Sequence, residues 1–142
     1  MSTKGYMLGP EQGVEAFAPG VKATQPSTDG SLTVIVSRSR EGSPLHVHSK
    51  EDECFYVIEG VISVRCGEET FEAGPGSFLF LPRGIPHARE ASSTEATVLL
   101  ISVPAGFDEF MRELHQAGSL SDEVRDQIAA KYGITFVRPS TS

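Results

Sequence analysis

The stretch His46-Val47-His48-Ser49-Lys50-Glu51-Asp52-Glu53-Cys54-Phe55-Tyr56-Val57-Ile58-Glu59-Gly60 places two histidines and a glutamate among residues typical of β-strands. Residues i and i+2 of a strand point to the same face, so His46 and His48 can reach one ion. The polar residues 49–52 predict a turn, after which Glu53 opens a second strand and lies across the hairpin from the histidines. Imidazole and carboxylate together suit a divalent transition metal.

A second segment, Gly76-Ser77-Phe78-Leu79-Phe80-Leu81-Pro82-Arg83-Gly84-Ile85-Pro86-His87, brings a third histidine. Its Pro82-Arg83-Gly84 sequence predicts a turn that directs His87 back inward. An interior lined by three histidines and a glutamate would leave costly unpaired polar groups unless they share an ion. We therefore predict one divalent metal per chain, with Fe, Ni, Mn, Cu and Zn as candidates, bound by His46, His48, Glu53 and His87.

The spacing of these residues resembles that of a known family. His46-x-His48-x4-Glu53-x6-Gly60 is similar to the first cupin motif, and Gly76-x5-Pro82-x-Gly84-x2-His87 is similar to the second. A wider similarity to single-domain, quercetin-dioxygenase-like cupins runs over residues 8–114. The chain departs from the pattern at Arg40, where a glycine is expected, and at Ala91, where an asparagine often closes the second motif. The resemblance implies a jelly-roll barrel around a metal.

The strand patterns of the chain agree with an all-β cupin barrel, the double-stranded β-helix. Fourteen glycines and nine prolines mark many turns, as an antiparallel protein needs. Eight strands at this spacing fit a double-sheet jelly roll. They are predicted over 32–38, 45–48, 53–59, 61–66, 69–73, 77–81, 87–90 and 97–103, with two further strands near 14–17 and 21–24.

The tail has a helical period instead. Apolar residues recur at i, i+3, i+4 and i+7 from Phe107 to Leu114, and a second helix is predicted over 122–131 with Ser121 as its N-cap. We therefore divide the chain into a jelly-roll domain, residues 1–104, and a C-terminal helical tail, residues 105–142. We expect the tail to pack on the outer face of the barrel; a lid over its mouth and a dimer contact are the alternatives.

Composition excludes several classes of partner. The net charge of −7 disfavours binding to nucleic acid or to an anionic membrane surface. No stretch approaches the ~18 apolar residues of a membrane span, and residues 1–6 lack the apolar core of a signal peptide. We expect a cytoplasmic protein with a small-molecule substrate. We also expect a homodimer, because single-domain cupins usually pair and pairing covers an exposed sheet edge.

We expect five other polar or reactive side chains to have no part in metal binding or catalysis. Cys54 faces away from Glu53, Cys66 precedes a turn, and neither fits a zinc pattern. Glu51 and Asp52 are expected to be solvent-exposed within the turn. His115 is expected at the surface near the end of the first tail helix, where a cation is favoured.

Four protein ligands on an octahedral metal leave two positions open, for a substrate oxygen and for dioxygen or water. The first hypothesis is a metal-dependent dioxygenase acting on a small aromatic, phenolic or enolic molecule. In the resembled quercetinases the ligating glutamate is also a base, which gives Glu53 a catalytic role. The second hypothesis is a polyketide cyclase or isomerase of secondary metabolism, such as antibiotic biosynthesis, in which the metal acts as a Lewis acid. A non-enzymatic binding module is the third hypothesis.

The expected apolar wall of the site comprises Phe55, Val57, Phe78 or Leu79, and Phe80.

Overall fold

The structure is a computed structural model that describes residues 4–16 and 18–138. In this part of the chain ten strands and two helices form. They are β1 (Val21–Ala23), β2 (Thr33–Ser39), β3 (His46–His48), β4 (Asp52–Glu59), β5 (Ile62–Cys66), β6 (Glu69–Ala73), β7 (Phe78–Leu81), β8 (His87–Arg89), β9 (Ala96–Val103), α1 (Phe107–Ala117), α2 (Asp122–Lys131) and β10 (Ile134–Phe136). No described helix is long and apolar enough to cross a membrane.

The strands form two antiparallel five-stranded sheets, ordered β1-β2-β9-β4-β7 and β10-β3-β8-β5-β6. Apolar residues at alternate positions of β4, β5 and β7 face inward, so the core lies between the sheets. Its members are buried and apolar: Phe55, Val57, Ile62, Val64, Ala73, Leu79, Leu81, Ala96 and Val98. This arrangement confirms the predicted all-β jelly roll.

The predicted hairpin between the two histidines and Glu53 is wrong. β3 pairs with β8 and β10 in one sheet, whereas β4 pairs with β7 and β9 in the other. The chain crosses from one sheet to the other at residues 49–51. Glu53 therefore faces His46 and His48 across the interior of the barrel, not along a shared hairpin.

The tail adds a strand that the sequence pattern did not predict. β10 pairs with β3, so that Phe136 lies opposite His46 and Ile134 opposite His48. Phe110 of α1 and Ile128 of α2 form a second buried cluster with Ala129 and Ile134. Both predicted helices are present, and the Ser121 hydroxyl accepts a hydrogen bond from the Val124 amide at 3.3 Å. The division of the chain at residue 104 stays a prediction.

A buried carboxylate fixes the position of α1 over the barrel. Asp108, in the first turn of the helix, accepts hydrogen bonds from the Thr33 hydroxyl at 2.5 Å and the Gln25 amide at 3.1 Å. Near the N-terminus, the strand predicted over 14–17 is wrong for the described residues: it is reduced to one bridge between Glu15 and Ala18. Phe17 itself lies outside the described residues.

Candidate metal centre

Four side chains from both sheets meet inside the barrel. His46 and His48 of β3, His87 of β8 and Glu53 of β4 are all buried, and one ligand atom from each lies within 4.8 Å of the others. His46 and His87 are brought together because they are register partners on neighbouring strands. Ligands about 2.1 Å from a metal on opposite sides lie roughly 4.2 Å apart, so small side-chain shifts would close this group around one ion.

The hydrogen bonding of the four side chains supports a shared cation. Glu53 Oε2 lies 3.1 Å from His48 Nε2 and 3.2 Å from His87 Nε2. Within the described residues these three buried atoms have no partner with hydrogen-bond geometry, and neither has His87 Nδ1. Polar atoms buried in this way are costly unless something pairs with them. The donor set of three imidazoles and a carboxylate therefore fits a divalent transition metal.

Two of the imidazoles are oriented by a bond at their other nitrogen. His46 Nδ1 donates to the Pro44 carbonyl oxygen at 2.6 Å, which directs Nε2 toward the cluster. His48 Nδ1 lies 2.6 Å from Glu51 Oε1, so the Glu51 carboxylate holds that ring in the same way. Such partners fix the tautomer and orientation of a metal-binding histidine.

A cavity of about 530 Å³ adjoins the cluster. This volume lies within the range of about 300–1,000 Å³ typical of small-molecule sites. His46, Glu53 and His87 reach its wall, whereas His48 does not. The barrel strands and the tail both supply apolar lining, including Ile35, Phe55, Val98, Leu100, Phe107, Phe110, Met111, Leu114, Ile134 and Phe136. Tail side chains thus take part in enclosing the site.

A family model described as a cupin domain matches residues 32–104, half of the chain. The chain belongs to the cupin family. This match includes all four residues of the cluster and excludes the tail. The cupin domain is therefore the scaffold that carries the candidate site, and the tail is an addition outside the matched region.

Among curated proteins, this cupin is similar to quercetin 2,3-dioxygenase of Bacillus subtilis (strain 168), at 29% identity over 96 residues. The match covers 66% of the chain but 28% of that dioxygenase, so the chain spans about a quarter of the relative's length.

Two solved structures share the fold. KdgF from Halomonas sp. matches with a TM-score of 0.55 and 22% identity, over 69% of this chain and 88% of that one. A protein with a cupin-2 domain from Shewanella frigidimarina matches with a TM-score of 0.50 and 20% identity, over 58% and 76% of the two chains. At these identities the likeness concerns the fold alone.

Glu51 is buried, which contradicts the expectation that it is a solvent-exposed turn residue. It is 3% exposed, because its carboxylate points inward to His48. Asp52, also predicted to be exposed, is only partly so and belongs to β4, where it pairs with Arg83 at 3.2 Å. A short run of polar residues predicts a turn. It does not show which of these side chains will point inward and accept a hydrogen bond from a buried histidine.

The expected apolar wall is only partly correct. Phe55 lines the cavity, while Phe78 and Phe80 are 63% and 52% exposed. Phe55 of β4 lies opposite Leu79 of β7, so both side chains face the interior. Phe78 and Phe80, on the other face of β7, therefore point outward. Alternation places Phe78 and Phe80 on one face of β7 and Leu79 on the other, but it could not show which face is inside.

Replacing Glu51 with glutamine is expected to weaken metal binding about tenfold, the lower end of the cost of losing such a partner. Glutamine keeps the size and an acceptor oxygen but removes the negative charge beside the His48 ring. Asp52→Asn is the matched control, since the Asp52 carboxylate pairs with Arg83 and with no histidine. Competition with a metal-binding dye would measure both affinities; equal affinities in the two variants would contradict this role of Glu51.

The pKa values of His46 and His48 predict proton release on metal binding. Burial opposes a charge on His48, but the hydrogen bond to Glu51 and the nearby carboxylate of Glu53 outweigh it and raise its pKa to about 9. Burial lowers the pKa of His46 to about 4, so that ring is already neutral at pH 7. A ligating imidazole must be neutral, so the metal must displace the proton of His48.

We therefore expect about one proton to be released per metal bound at pH 7.5, and affinity to fall about tenfold per pH unit below 9. The decline begins above the free histidine value of about 6.5 because His48 is already protonated there. Calorimetry in two buffers of different ionisation enthalpy would count the protons. Binding without proton release at pH 7.5 would show that His48 carries no proton for the metal to displace, which would contradict the raised pKa.

Proposed function

We propose that this cupin is a metal-dependent enzyme acting on a small phenolic or enolic molecule, with dioxygenase chemistry of the quercetinase type. The observation that carries the proposal is the buried group of His46, His48, Glu53 and His87 at the wall of an apolar cavity. The similarity to a quercetin 2,3-dioxygenase supports the same reaction class. A redox-active divalent metal bound there would supply dioxygen activation.

The chain's own residues would position the substrate and move its proton. The apolar wall would hold a flat molecule and keep water from the reacting atoms. Glu53 lines the cavity, so its carboxylate can reach a substrate hydroxyl as well as the cluster. Accepting the hydroxyl proton would leave a more electron-rich phenolate or enolate, which is more readily oxidised.

The proposal is tested by oxygen consumption. Protein reconstituted separately with iron, nickel, manganese, copper or zinc is mixed with quercetin and with a panel of smaller phenols and enols. We expect substrate-dependent O2 uptake with at least one redox-active metal and none after chelation. Product formation without O2 uptake, with zinc as active as the redox metals, would contradict a dioxygenase and favour the Lewis-acid isomerase or cyclase.

A further inference from the structure

Two arginines, which the sequence analysis did not single out, line the same cavity as the cluster. Arg89 follows His87 by two residues on β8, so both side chains leave the strand on its inner face. The Arg89 guanidinium donates one hydrogen bond, from Nη2 to the Ser39 carbonyl oxygen at 3.0 Å. No carboxylate within residues 4–16 and 18–138 forms an ion pair with it.

Arg125 reaches the cavity from α2 in the tail. Its guanidinium carbon lies 4.5 Å from the centroid of the Phe136 ring, and that ring lies 6.2 Å from the ring of His46. Arg125 Nε is buried and, among the described residues, has no hydrogen-bond partner. Its nearest carboxylate, Asp122, is 3.6 Å away with a side chain that is 78% exposed, a weak solvated pair.

The charge of the cavity is unusual for this protein. The chain carries a net charge of −7, yet two arginines face a largely apolar cavity next to a candidate cation site. Besides Glu53, the acidic residue at the cavity wall is Glu41, which is solvent-exposed. Among the described residues Arg89 has no ion-pair partner and Arg125 has only the exposed Asp122, and partly buried cations paired so weakly are costly unless a ligand pairs with them. A guanidinium matches the two oxygens of a carboxylate.

We propose that Arg89 and Arg125 bind a carboxylate of the substrate, which makes the substrate a small phenolic or enolic acid. The inference rests on the proposed function only in taking this cavity as the substrate site. His87 and Arg89 are separated by about 6.6 Å along β8, a distance comparable to the length of a hydroxybenzoate. One molecule could thus place a hydroxyl at the cluster and a carboxylate at the arginines.

The test compares an acid with its neutral isostere. Binding of 4-fluorobenzoate and 4-fluorobenzamide to zinc-loaded protein is measured by fluorine NMR. We expect wild-type protein to prefer the benzoate by roughly tenfold or more, and Arg89→Gln and Arg125→Gln each to lose most of that preference. Arg125→Lys, which keeps the charge but not the planar fork, should retain part of it. Arg38→Gln, an exposed arginine on β2 outside the cavity, is the control and should bind like wild type.

A chelated sample separates the role of the arginines from that of the metal. If the metal alone held the carboxylate, the preference would vanish on chelation and persist in both glutamine variants; that result overturns the inference. Equal binding of the two probes, or no binding of either at millimolar concentration, also overturns it. Melting curves of the variants exclude unfolding as the cause of a loss. The readout is binding and not O2 uptake. The preference for benzoate can therefore be observed even if the protein is not a dioxygenase, and a dioxygenase could lack this preference.

Discussion

Alanine in place of His46 or His87 is expected to remove nearly all metal from the protein. Each substitution deletes one of the four candidate ligands from a buried site. Loss of a mere outer partner costs up to about a hundredfold in affinity, so loss of a ligand should cost more than that. Elemental analysis after dialysis should show about one metal per wild-type chain and a small fraction in either variant.

His115→Ala is the matched control for these two variants. His115 lies in α1, outside the cluster, and lines a separate, smaller cavity with Asp108 and Arg112. Its removal should leave the metal content at the wild-type level. Full occupancy in both His46→Ala and His87→Ala, with intact folding, would show that the four-residue cluster is not the binding site.

Glutamine in place of Glu53 is expected to lower turnover by about a hundredfold or more while part of the metal is retained. Glutamine has the size of glutamate but is a poorer ligand and cannot accept the substrate proton. The three histidines remain to hold the ion. Turnover per bound metal, from O2 uptake and elemental analysis of the same sample, separates loss of the base from loss of the metal.

Glu59→Gln serves as the control, because Glu59 lies on the same strand as Glu53 but is exposed at its far end. It should keep wild-type turnover. Near-normal turnover per metal in Glu53→Gln would eliminate Glu53 as the base. The glutamate would then only hold the metal, as expected for an isomerase or cyclase.

The candidate ligands could be predicted from the sequence by a local rule together with the resemblance to a family. Strand alternation places His46 and His48 on one face, and the resemblance to the two cupin motifs adds Glu53 and His87. What local rules could not give is the sheet to which each strand belongs. β4 joins β7 and β9 through contacts distant in sequence, and this pairing, not the turn at 49–52, determines how Glu53 faces the histidines.

Two features of the tail and cavity were not predicted, for different reasons. β10 has three residues, too few to show a period, and it forms because the free edge of β3 is available to pair with it. Arg89 could have been found, since it follows His87 at the spacing that puts both on one strand face. Arg125 precedes the buried Ile128 and Ala129 by three and four residues, a helical spacing that indicated an inward direction.

The central claim is that one metal ion is bound by His46, His48, Glu53 and His87, and anomalous diffraction at the absorption edge of the bound metal tests it most directly. A crystal of protein purified without added metal should give one strong anomalous peak per chain inside the barrel. That peak should lie about 2.0–2.3 Å from an atom of each of the four side chains. No peak at this position, or a peak bound by other residues, would contradict the account.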